Sequence, residues 1–90
     1  MKILVIEDEV RLAAYLQKGL TEEGHVVEVV HNGVDGLHLA IEGQFDLVIL
    51  DSMLPGLDGV SVCKQVRAFS DVPILMLTAR IDEVDRLSGL

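Results

Sequence analysis

An α/β fold built on a parallel sheet is what this sequence predicts, and three observations predict it. Short runs of strand length, at residues 3–6, 26–30, 47–50 and 73–77, alternate with stretches whose apolar residues recur at helical spacing. Most of these runs are apolar at consecutive positions, as strands covered on both faces are. The connections are short, so right-handed crossovers would place helices on both faces of one sheet.

The first run, Ile3 to Ile6, ends in the carboxylates Glu7, Asp8 and Glu9. From Val10 to Glu23, Leu12, Leu16 and Leu20 recur at i, i+4, i+8 with Ala13 beside them, and Gly24 stands where a left-handed cap ends a helix. Val26, Val27, Val29 and Val30 are β-branched and bounded by Gly24 and by Asn32-Gly33, which reads as the second strand. Val34, Leu37, Ala40 and Ile41 make the second helical stripe, closed by Gly43. Leu47 to Leu50 is the third strand; it delivers Asp51 to its end, before Pro55, Gly56 and Gly59. Asp58 can cap a third helix with apolar positions Val62, Val66 and Phe69, Cys63 alongside as core filling. Pro73 to Leu77 is the fourth strand, leading into Thr78-Ala79, and Ile81, Val84, Leu87 and Leu90 form a weaker fourth stripe.

Ninety residues, half of them apolar, make one domain over 1–90 with a core of its own. Fifteen acidic residues against seven basic ones give a formal charge of −8, and the basic ones are scattered; this argues against direct binding to nucleic acid or an anionic membrane. One cysteine excludes an internal disulfide and fits a reducing compartment, and the start MKILVIEDE has neither a signal-peptide pattern nor a bilayer span. A cytoplasmic location is expected.

In a parallel sheet the carboxyl ends of the strands share one edge, so Glu7, Asp8, Asp51 and Thr78 should meet there although they are far apart in sequence. Two bare charges about 4 Å apart repel by about 4 kcal/mol at an effective dielectric of about 20, so three carboxylates call for a cation or for water. All-oxygen donors without His or Cys point to Mg²⁺ rather than Zn²⁺. Such a site suits phosphoryl transfer with an Asp as nucleophile. Taken singly, Asp51 also fits a turn-opening Asp, and Thr78 an ordinary strand-end residue.

ILVIEDE, LVILDSMLPGLDG and PILMLTA, in this order, resemble the receiver domain of bacterial two-component response regulators of the OmpR-like class, and the resemblance runs from Met1 to Leu90. It implies a flavodoxin/CheY-like parallel sheet with strand order 2-1-3-4. Asp51 would accept a phosphoryl group from a sensor histidine kinase. Asp8, Asp51 and the main-chain carbonyl of Met53 would hold Mg²⁺, with Glu7 joining through a metal-bound water. Thr78 would be the switch hydroxyl, with Ala79 leaving room for the phosphoryl group. The output would be control of transcription through a DNA-binding domain not in this sequence, and the chain would be a phospho-acceptor rather than a turnover enzyme.

A receiver also has a fifth strand ending in a lysine, and a fifth helix; the sequence ends before both, and Lys2, Lys18 and Lys64 lie at the wrong ends of their elements to substitute. The alternative reading is therefore a phosphorylation-impaired, truncated receiver that works as an interaction module through homo-oligomers or swapped elements. Up to Val62 the chain resembles regulators of heavy-metal response, and from Arg67 onward regulators of envelope stress or drug efflux. The acidic start of the fourth stripe, Asp82, Glu83 and Asp85, reads as a solvated face or, by the resemblance, a dimer surface.

His25, His31 and His38 share no metal-ligand spacing on one helix face and read as surface or loop residues. No glycine-rich phosphate loop is present, and an Asp-nucleophile phosphatase would place a second Asp where Met53 stands.

Overall fold

The computed structural model describes residues 1–54 and 57–77. Its elements are β1 (Lys2–Ile6), α1 (Val10–Glu22), β2 (Val26–Val30), α2 (Gly33–Glu42), β3 (Leu47–Asp51), α3 (Gly59–Arg67) and β4 (Ile74–Leu77). The four strands form one parallel sheet in the order β2-β1-β3-β4, the order the resemblance implies. Thr78, Ala79 and the fourth helical stripe at 81–90 lie outside the described residues.

Side chains alternate between the two faces of a strand, and the core divides accordingly. Leu4, Ile6, Val48 and Leu50 point to one face, where α2 and α3 cover them with Ala40, Val62 and Val66. Ile3, Val5 and Ile49 point to the other, packed by Leu16 and Leu20 of α1 and by Val27, Val29, Leu47 and Leu77. The two-faced burial of β1 and β3 explains why their sequences are continuously apolar. Val26, on an outer strand, is 66% exposed despite its β-branched side chain.

The helix ends follow local chemistry. Glu9 caps α1, its carboxylate accepting from the amides of Arg11 and Leu12. Asn32 caps α2 by accepting from Asp35 N–H, and Asp58 caps α3 by accepting from Ser61 N–H. Past α1, Gly24 adopts φ 92°, the left-handed conformation its position called for.

Two details depart from the sequence reading. Phe69 lies beyond the end of α3 and is 75% exposed, because Ala68 already caps the helix. Val34 is 66% exposed, and Gly33, Gly36 and Ala40 take the buried face of α2 in its place. That face needs small residues: a Cβ on Gly36 would sit 2.6–2.8 Å from the side chain of Ile6. Among the described residues no helix is long and apolar enough to cross a membrane.

Candidate functional site at the carboxyl edge of the sheet

The register of the sheet brings the acidic strand ends together. Ile6 pairs with Leu50 across β1 and β3, so Glu7 and Asp51 each stand one residue further, at the same edge. One carboxylate oxygen from each of Glu7, Asp8 and Asp51 lies within 4.8 Å of the others. The cluster opens into a cleft of about 310 Å³ lined by Glu7, Asp8, Glu9, Leu12, Asp51, Met53 and Leu77.

Each acid is held differently. Asp51, the last residue of β3, is 7% exposed, and its Oδ1 accepts from Met53 N–H at 3.0 Å. The neighbouring backbone is tied to β4 by Ser52 N–H donating to Leu77 O at 3.0 Å. Gly59, at the start of α3, lets the helix approach this strand end: a Cβ there would lie 2.6 Å from the Asp51 carbonyl oxygen and from Ser52 Cα. Glu7 is 3% exposed, and its Oε2 accepts from Glu9 N–H at 3.0 Å. Asp8 is exposed and faces the cleft mouth.

Burial, reinforced by the carboxylates of Asp51 and Asp8, pushes the pKa of Glu7 from its ordinary 4.5 up to about 7, against the opposing pull of the Glu9 N–H. Three carboxylates within 4.8 Å repel pairwise by about 3 to 4 kcal/mol at an effective dielectric of about 20. The donors are all hard oxygen, two buried and one at the mouth, which fits a small divalent cation of the Mg²⁺ kind.

Of the residues singled out in the sequence, Glu7, Asp8 and Asp51 converge, and Met53 lines the same cleft. Thr78 follows Leu77, the β4 partner of Asp51, and itself lies outside the described residues. Glu9, which the sequence groups with the acidic strand end, spends both carboxylate oxygens on capping α1. His31 is exposed just past β2, the surface or loop residue the sequence reads, and it also joins the frame of the site: its Nδ1 lies 2.9 Å from the main-chain oxygen of Glu7. The two residues are 24 apart, and no spacing rule connects them.

An open parallel α/β domain with an acidic, cation-competent cleft at the carboxyl ends of its strands is the class that fold and site define. Residues 3–90 match the family described as the response regulator receiver domain. The chain belongs to that family.

Among its relatives is the transcriptional activator protein IrlR of Burkholderia pseudomallei, 50% identical over 90 residues. The transcriptional regulatory protein CusR of Escherichia coli is 47% identical over 91 residues, and the response regulator ArlR of Staphylococcus aureus 40% over 89. The matches cover 100%, 100% and 99% of this chain but 39%, 40% and 41% of those proteins, so the chain spans about two fifths of their length. Among solved structures, the response regulator TrrA of Thermotoga maritima, in complex with Mg(2+)-BeF, superposes with a TM-score of 0.85 at 36% identity, covering 98% of this chain and 77% of that one. The receiver domain of a sensor histidine kinase from Pseudomonas aeruginosa, with a magnesium ion coordinated in its active site cleft, gives a TM-score of 0.85 at 31% identity, covering 96% and 73%. The chain is thus a response regulator receiver domain, similar to those of transcriptional regulators of the OmpR type.

Proposed function

We propose that Asp51 is the phospho-acceptor of this receiver, taking a phosphoryl group from a histidine of a sensor kinase, with Mg²⁺ held by Asp8, Asp51, the Met53 carbonyl and, through water, Glu7. The observation that carries the reading is the convergence of Glu7, Asp8 and Asp51 within 4.8 Å at the carboxyl edge of the sheet.

The residues divide the work. The Met53 amide holds Asp51 through Oδ1, so the carboxylate is oriented by β3 and by its own loop before any ligand arrives. An Asp51 oxygen forms the new P–O bond while the P–N bond to the kinase imidazole breaks, the bonding pair leaving with the imidazole. Glu7, with a pKa near 7, keeps a proton part of the time and so lowers the negative charge beside Asp51. When bound, a divalent cation supplies positive charge to the carboxylates and the phosphoryl oxygens. Thr78 keeps its role as switch hydroxyl on sequence grounds alone. A cytoplasmic location goes with the kinase partner, and control of transcription with the relatives' names.

Self-association belongs to the same proposal. Leu75 and Met76 of β4 are 53% and 37% exposed, and a sizing column run at two concentrations checks whether two copies pair.

Incubation with a small-molecule phosphodonor and Mg²⁺, read by intact mass, tests the main proposal. One phosphoryl adduct, lost in Asp51→Asn and in EDTA, is expected. An adduct that survives Asp51→Asn would move the acceptor elsewhere, and no adduct on a folded sample would defeat the phospho-acceptor reading.

A further inference from the structure

The β2–α2 connection braces both arms of the acidic cleft. On the β1 side, Glu7 N–H donates to Val30 O at 3.0 Å, one step beyond the last strand pair, Ile6 with Val30. A parallel ladder would continue with the amide of residue 32 donating to Glu7 O. Asn32 instead turns away to cap α2, with φ −146° and ψ 161° and its side chain on Asp35 N–H. The ring of His31 takes the place of that missing rung, its Nδ1 2.9 Å from Glu7 O. A carbonyl oxygen only accepts, so Nδ1 carries the proton.

Two residues on, the same segment meets the other arm. A Cβ on Gly33 would lie 2.6 Å from the carbonyl oxygen of Leu57, in the connection between Asp51 and α3. Residues 31–33 are thus wedged between the turn that carries Glu7 and Asp8 and the loop that follows Asp51.

We propose that His31 is a positioning residue for the acidic cleft, acting through the main chain. The Glu7 carbonyl and the Asp8 amide are one planar unit, so a donor that fixes the carbonyl oxygen fixes the plane from which the Asp8 Cα departs. Asp8 is the exposed member of the cluster, whereas Glu7 and Asp51 are buried and accept from the amides of Glu9 and Met53. His31 therefore sets where Asp8 stands relative to the buried pair Glu7 and Asp51. The inference rests on reading the cleft as a divalent-cation site, and it assigns His31 no contact with the cation. Outer partners that orient metal ligands typically shift affinity by about 10- to 100-fold when removed.

The test compares the chain with His31→Leu, which removes the donor, and with His31→Asn, whose amide nitrogen is as many bonds from Cα as Nδ1. Mg²⁺ affinity by titration calorimetry is expected to fall about tenfold in His31→Leu, the lower end of that range, and to return to within about twofold of the parent in His31→Asn. Cooperative urea unfolding in EDTA should be kept by both, since a merely structural role would move that curve and not the affinity alone. Equal affinity in all three, or equal loss in both variants, overturns the proposal. Parent protein that binds no Mg²⁺ overturns the cation reading, and this inference with it. A histidine nitrogen NMR spectrum of the parent protein needs no variant: His31 should show the Nδ1–H form, and the Nε2–H form would contradict the assignment.

Discussion

Glu7 is a buried acid whose charge works against the fold unless something neutralises it, and Glu7→Gln measures that cost. With its pKa raised from 4.5 to about 7, Glu7 binds more proton in the folded state than in the unfolded one between these values. The contribution of the protonated group to stability is complete below about pH 4.5 and is lost as pH rises through about 7. A shift of about 2.5 units corresponds to about 3 kcal/mol, of which about 2.5 kcal/mol falls between roughly pH 5 and pH 8. Glutamine preserves the volume and an acceptor for Glu9 N–H but cannot ionise. Urea unfolding in EDTA should therefore show the parent protein losing about 2.5 kcal/mol relative to Glu7→Gln from about pH 5 to pH 8. Saturating Mg²⁺ should return part of that loss to the parent at the higher pH, because a ligand of the folded state alone stabilises it by mass action. Parallel pH curves for the two proteins in EDTA would refute the account of Glu7 as a buried acid raised by its surroundings.

Three further outcomes follow from single contacts. Asp51→Asn removes the carboxylate that helps raise Glu7, so the Glu7 side-chain carbon should titrate at a lower pH in an NMR series; an unmoved or higher midpoint would separate the two acids. Gly36→Ala places a methyl 2.6–2.8 Å from Ile6 and should cost about 1 to 3 kcal/mol in a urea melt through overpacking. Asp58→Ala removes the acceptor for Ser61 N–H and should cost about 1 kcal/mol in the same assay.

The sheet and the acidic cluster were legible because both rest on short-range pattern. Leu47 to Leu50 are continuously apolar because α1 packs one face of β3 while α2 and α3 pack the other, and that pattern also tells where the strand ends, at Asp51. Once two such strands run parallel, their carboxyl ends coincide, so Glu7 and Asp51 could be paired across 44 residues without coordinates. What pattern does not encode is how a polar side chain divides itself among neighbours. Glu9 stands beside Glu7 and Asp8 at the acidic strand end, yet the start of α1 needs acceptors for its free amides and takes both of its oxygens. His31 lies one residue past β2, and only the turn of Asn32 into the α2 cap leaves Glu7 O for its ring. Phe69 fits the stripe of α3 by spacing, but the helix ends before it, at Arg67. Helix ends are set by capping contacts rather than by periodicity.

The central claim is that three strand-end carboxylates form one divalent-cation site, and paramagnetic Mn²⁺ reports its location most directly. Added at low ratio to nitrogen-labelled protein, Mn²⁺ should broaden the amide signals of residues 7–9 and 51–53 first, and excess Mg²⁺ should restore them. Broadening centred on another acidic surface, such as that of Glu22 and Glu23, or broadening that Mg²⁺ fails to reverse, would contradict it.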